Sequence, residues 1–324
     1  MEVRGHRSEE SEKPIELLFH DVHSHGVKIA ELWIKEVEKR SGGRVRFTSH
    51  TGGGPAMTEK ADVVRDVPAG GGQYPLLDLI QIPLLFKDSI NASQVLAQLY
   101  SEFPELRHEI SDKKIVGLSI GALMAIFTSQ KWGPVETLEA LRGARIRSLA
   151  PIDGALKSLG AEPRHVDYLK IAPLLAAGEL DAAVLGLLPA RIFELAEKGA
   201  PFCTIAGEYS ITAHPMRLYM KWDSWNKLPA GVRDLIDELG PAGQTGWFAS
   251  QSGTDSDNAL KGAMEYFRQK GRIIRLPVDE LNRWLKAMEL SRQSAIELAE
   301  AQGQPGRRFF ARMKQLIQEL QPEQ

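Results

Sequence analysis

One cysteine, Cys203, in 324 residues excludes any disulfide within the chain and any metal centre built from several thiolates, while leaving the compartment open. Long apolar runs are missing too. The most apolar stretch, Ile171 to Phe193, is broken by Pro173, Glu179, Asp181 and Pro189, short of the ~18 continuous residues that suggest a membrane helix. Neither sign of charge dominates: 40 Lys and Arg stand against 42 Asp and Glu, which removes the basic footprint of a nucleic-acid binder. The opening MEVRGHRSEESEKP is charged and lacks the apolar stretch of a secretory signal, so residues 1–13 read as a mobile lead and no export signal is expected in the chain as it stands. Nucleotide signatures are absent as well. Gly52-Gly-Gly54-Pro55 lacks the Lys and Ser/Thr of a phosphate loop, no dinucleotide glycine pattern occurs, and Cys203 has no evident histidine partner, so no cofactor is expected.

What is present is a large apolar complement, 43% of the residues, in a chain longer than one core usually sustains. Two lobes with a cleft between them are the first expectation. Ile15 to Phe19 reads as a strand ending in a histidine-bearing loop, His20 to His25. Ile29, Leu32, Trp33 and Val37 recur at helical spacing, and Ser41-Gly42-Gly43 stops that helix before a strand from Arg44 to Thr48. A further helix, Ala56 to Arg65, runs into a link from Asp66 to Gln73 that is too rich in glycine to be a buried strand. The near-continuous apolar run Ile115 to Thr128 suits buried strands crossing between lobes. Ala144 to Leu149 reads as a strand carrying Arg145 and Arg147 on the face opposite Ile146, so the core takes the isoleucine and at least one arginine looks into accessible space. Leu180 to Leu188 reads as a buried strand, and Tyr209 to Met220 as one returning to the first lobe. Helices dominate beyond Gly231. The alternation of strand and helix predicts an α/β architecture with mostly parallel strands and helices on both faces.

Several segments in order resemble one family: ELWIKEVEKRSGGRVRF, YPLLDLIQIPLLF, LEALRGARIRSLAPIDGALKSLGAEPRHVDYLKIAPLLAAGELDA, WNKLPAGVRDLIDEL, GRIIRLPVDELNRWLKAMEL and GQPGRRFFARMKQLIQEL. Together, from about Pro14 to Leu320, they resemble the DctP-type solute-binding proteins of TRAP transporters. The resemblance implies a two-lobed fold like that of periplasmic binding proteins, with hinge strands and a long C-terminal helical segment. Lobe I would take residues 14–123 and 210–250, lobe II 124–209 and 251–304, and 305–324 would form the C-terminal helix. It also implies a periplasmic protein that is not an enzyme, that binds a small organic acid in the inter-lobe cleft and that delivers it to TRAP membrane permease subunits.

Site residues follow from the same resemblance. The family's ligand arginine lies on a glycine-initiated strand, a pattern that Gly143-Ala-Arg-Ile-Arg147 matches, so Arg147 is expected to grip the carboxylate with its planar fork. Tyr168 stands where the family places an aromatic beside the ligand. His23, in the loop after the first strand, opens onto the cleft, and Leu185 lines it as an apolar position. Arg145 and Asp181 read as structural. Two departures shape expectation: the first lobe is expected to lack a strand near 66–73, and Ala125 and Leu185 replace an arginine and a polar residue of sialic-acid-binding members. The ligand is therefore expected to carry one main carboxylate on an apolar or aromatic body.

Two alternatives stand beside this reading. Asp21-x-His23-x-His25 after a strand is similar to the opening of metal-dependent hydrolases. The shortened first lobe also suggests a degenerate member that binds no ligand.

Overall fold

The computed structural model describes residues 13–22, 28–52, 54–68, 70–121, 124–241, 243 and 246–320. In chain order its strands are β1 (Ile15–Asp21), β2 (Val45–Thr51), β3 (Val63–Asp66), β4 (Lys114–Ile120), β5 (Met124–Thr128), β6 (Arg145–Arg147), β7 (Glu162–Arg164), β8 (Ala182–Gly186), β9 (Phe202–Ile205), β10 (Pro215–Met220) and β11 (Arg272–Arg275). They form two sheets, ordered β2-β1-β3-β10-β4 and β11-β9-β5-β8-β6-β7. Parallel pairs alternate with antiparallel ones where β10 joins the first sheet and β5 the second.

Where helices cover both faces the strands are apolar and buried almost throughout, as in β4, β5 and β8, whereas β2 and β7 at sheet edges are polar and largely exposed. On one side of the first sheet, Leu17, Phe19 and Val63 pack with Trp33 and Val37 of the helix Ile29–Arg40. On the other, Val64, Leu118 and Ile120 meet the helices Pro75–Leu79, Ser89–Glu102 and Gly306–Leu320. In the second sheet Ile126, Ile146 and Val184 pack with Trp284, while Phe127, Ala183 and Leu185 face Phe267 and Leu175. No described helix is long and apolar enough to cross a membrane.

The chain passes between the sheets where β4 gives way to β5 and again between β9 and β10. A third link is the helix Trp247–Lys270, whose length of 24 residues spans both sheets. Near its start, Phe248 lies against Gly117 of β4, where a Cβ would fall 2.5 Å from the ring. Near its end, Phe267 meets Phe127 of β5 with ring centroids 5.0 Å apart. Midway, Asp257 accepts from the backbone amides of Ser89 and Ile90 at 3.0 and 3.3 Å, satisfying donors that open the helix Ser89–Glu102. At the same crossing a Cβ on Gly253 would lie 2.4 Å from the Cα of Ile90. Backbone cannot yield there as a side chain could. Gly253→Ala is therefore expected to destabilise the protein by about 2 kcal/mol in urea unfolding, despite the ~1 kcal/mol gain in helix propensity.

One predicted helix is shorter than its pattern. Ala56 to Arg65 does not run helical throughout: the helix is Gly54–Lys60, and Val63 to Asp66 forms β3. Val63 and Val64 are fully buried, and β3 lies between β1 and β10, so tertiary burial overrides the helical spacing. The described residues between 67 and 73 carry no strand, but the expected gap in the sheet does not arise, because β3 supplies its central strand just upstream. The glycines of that link serve close approach instead. A Cβ on Gly70 would sit 2.2 Å from the Cγ of Pro151, on the segment after β6 of the other sheet.

Candidate ligand-binding site

A cavity of about 320 Å³ lies between the two sheets. Its first-sheet wall comprises Arg65 of β3, the link residues Val67, Pro68 and Gly70, Gln81, and Met216 of β10. Its second-sheet wall comprises Arg147 at the end of β6, Leu149 to Pro151, Tyr168, and Leu185 of β8. Three of the four residues predicted from sequence thus converge on one space. His23, the fourth, lies outside the described residues, as does His25. The described residues contain no group of three His, Cys, Asp or Glu able to hold a metal ion.

Arg147 is only 7% exposed. Its Nη1 donates to the Val184 carbonyl at 3.0 Å, and its Nε has no hydrogen-bond partner. Burial lowers its pKa, opposed by the neighbouring Tyr168. No carboxylate among the described residues pairs with it. The ordinary surface arginine that a strand edge would suggest is not what the fold makes of this residue.

Its neighbours are different. Arg145, two residues earlier, is held by Asp181 through Nε to Oδ2 and Nη2 to Oδ1, both at 2.8 Å, with a side chain 39% exposed. Arg65 is paired with Asp21 at 2.7 Å, and Arg217 of β10 with Asp66 at 2.9 Å. Of Arg65 and Arg147, the two arginines that line the cavity, Arg147 alone has no carboxylate partner among the described residues.

Tyr168 packs edge-on against Phe193, with centroids 4.9 Å apart and planes at 63°. Burial raises the pKa of its hydroxyl, outweighing the charge of Arg147, so the phenol stays neutral at physiological pH. Leu185 is buried and pairs in register with Ala125 across β8 and β5. The two apolar replacements noted in the sequence are thus cross-strand neighbours, one lining the cavity.

Sequence reasoning missed Arg65, Gln81, His214 and Met216, all of which line the cavity. Gln81 carried a usable signal, as the lone amide inside the apolar run Leu76 to Phe86; it is 4% exposed. Arg65 carried none once its strand was read as a helix end.

Comparison with known proteins places this geometry. Residues 21–297 match the sequence model of the bacterial extracellular solute-binding protein family 7. A TRAP solute-binding protein from Rhodoferax ferrireducens, solved with copurified benzoate, is 20% identical, with a TM-score of 0.82 and a match covering 94% of this chain and 98% of that one. A TRAP periplasmic solute-binding protein from Bordetella bronchiseptica, with bound mandelate, is 18% identical with a TM-score of 0.84, covering 95% and 100% of the two chains. A marine metagenome protein specific for aromatic acids, with 3-hydroxybenzoate, is 21% identical with a TM-score of 0.82 and coverage of 96% and 100%. At these identities the structures share the fold. The sequence match spans most of the chain, and the chain belongs to the bacterial extracellular solute-binding proteins of family 7, the DctP-type solute-binding proteins of TRAP transporters.

Proposed function

We propose that this protein is the extracytoplasmic solute-binding subunit of a TRAP-type transporter, periplasmic in location, binding a small monocarboxylate with an apolar or aromatic body and presenting it to the membrane permease. The observation that carries the reading is Arg147, a buried guanidinium without a counterion among the described residues, on the wall of an otherwise mostly apolar cavity. A carboxylate would supply the missing charge and accept the parallel N–H bonds of the fork. Arg65 and Arg217 already have their carboxylates, so the site offers one net positive charge and fits a monoanion. A volume of about 320 Å³ lies at the small end of ligand pockets, suiting an acid of benzoate size. The benzoate, mandelate and 3-hydroxybenzoate of the structurally similar proteins support the same class.

In this reading the chain forms lobe I from 14–123 and 210–250 and lobe II from 124–209 and 251–304, with a C-terminal helix from 305 on, of which Gly306–Leu320 is described. Arg147, Tyr168 and Leu185 contact the ligand from lobe II. An acid that touches both walls only in the closed form shifts the open–closed equilibrium toward closure, and the permease reads the closed form. Such work requires differential binding, not bond-making. The role expected of the protein is accordingly non-enzymatic.

Ligand-dependent thermal unfolding tests the proposal. A carboxylate at ~100 times its Kd stabilises the folded state by about 2.7 kcal/mol, so benzoate or a related acid should raise the Tm by several degrees, and the corresponding amides should not. Equal shifts from acids and amides, or none from a panel of aromatic and aliphatic monoacids, would refute it.

A further inference from the structure

The buried ion pair on the first-sheet wall has a role that pairing alone does not explain. Arg65 is 4% exposed, yet it lines the same cavity as Arg147, from the other sheet. Its Nη1 serves both oxygens of Asp21, at 2.9 and 2.7 Å. Among the described residues its Nη2 has only the thioether of Met216, at 3.7 Å, and sulfur is a weak acceptor. The side-chain amide of Gln81, on the same wall, makes no hydrogen bond among the described residues. The first-sheet wall therefore carries unspent donors and an unspent acceptor but no net charge.

We infer that Arg65, neutralised by Asp21, and Gln81 form a second subsite that reads a neutral hydroxyl on the ligand, making the substrate class hydroxylated monocarboxylates. A hydroxyl accepts from the free arm of Arg65 and donates to the Gln81 carbonyl oxygen. A second carboxylate would bring charge to a wall that Asp21 has already balanced and would face the Asp21 anion, so dicarboxylates are rejected. An unsubstituted apolar acid leaves Nη2 and the amide without partners in a water-depleted space, and binds more weakly.

This assignment rests on the monocarboxylate reading of the site, and calorimetric titration separates the two. The probes are benzoate, the three hydroxybenzoates and isophthalate, against wild type and Arg65→Lys. Lysine keeps the ion pair with Asp21 but loses the second arm of the fork. For wild type, at least one hydroxybenzoate should bind about tenfold more tightly than benzoate, and isophthalate more weakly than either. In Arg65→Lys that preference should fall to about twofold. Benzoate binding with no hydroxyl preference, or a preference that survives Arg65→Lys, would each overturn the subsite while leaving the monocarboxylate reading intact; isophthalate binding as tightly as the best hydroxybenzoate would overturn both the subsite and the monoanion reading. Binding of none of these acids would overturn both. If Arg65→Lys fails to fold, Gln81→Leu takes its place with the same expected loss of preference.

Discussion

Replacing Arg147 with methionine is expected to abolish carboxylate binding while leaving the ligand-free protein as stable as wild type, or more so. Both effects follow from one feature: a guanidinium taken out of water and given no counterion among the described residues. In the empty site that charge is a liability, offset by the bond from Nη1 to the Val184 carbonyl and by the neighbouring Tyr168. Methionine fills similar space without the charge, so the ligand-free variant should gain on the order of 1 kcal/mol. In the occupied site the balance reverses. Removing one partner of a buried, hydrogen-bonded charge pair costs about 2–5 kcal/mol, which predicts at least a thirtyfold loss of affinity and no measurable binding of a micromolar ligand. Urea unfolding and calorimetric titration of the same preparation check the two signs together. A structural arginine would give the opposite result, a destabilised protein that still binds.

The pair between Asp66 and Arg217 should behave as Arg147 does not. Arg217 is 7% exposed, donates through Nε and Nη2 to both Asp66 oxygens at 3.0 and 2.9 Å, and lies over the rings of Tyr74 and Tyr219 at 5.3 and 5.2 Å. It joins β3 to β10 in the middle of the first sheet. Asp66→Asn removes the counterion and strands the cation, and should cost about 3 kcal/mol in urea unfolding. Asp66→Asn with Arg217→Met removes both charges and should recover most of that loss, giving a coupling of at least about 2 kcal/mol in the double-mutant cycle. Additive effects would mean that the pair contributes nothing as a pair.

These two arginines show how far sequence reading carries and where it stops. The place of Arg147 beside the cavity was legible because Gly143-Ala-Arg-Ile-Arg147 resembles a strand pattern of the family, and because strand alternation puts Ile146 into the core behind it. The apolar runs of β4, β5 and β8 were legible for the same reason, since strands covered on both faces leave continuous hydrophobic segments. Charge compensation is not local. Asp21 and Arg65 are 44 residues apart, and Asp66 and Arg217 are 151 apart. Nothing in the sequence tells a neutralised arginine from a free one until the sheet order is known.

The strand β3 was illegible for a different reason. Four residues, Val63–Asp66, follow directly on a helix and precede a glycine-rich link, so no alternation is long enough to see. Its identity comes from its neighbours: β1 on one side, β10 on the other, with Val63 and Val64 turned to opposite cores. Misreading it hid Arg65, and with Arg65 the first-sheet wall of the site. Gln81, by contrast, was visible as a polar interruption in an apolar run; the fold supplies what the sequence could not, the cavity that gives the interruption a purpose.

An anionic ligand is expected to bind between the two sheets because Arg147 has no carboxylate partner among the described residues. A crystal structure of the protein with benzoate tests it most directly. The account predicts the carboxylate within about 3 Å of two Arg147 nitrogens, the Nε among them, with the ring against Tyr168 and Leu185. Benzoate seated elsewhere, or an Arg147 still without a carboxylate partner in the complex, would contradict it.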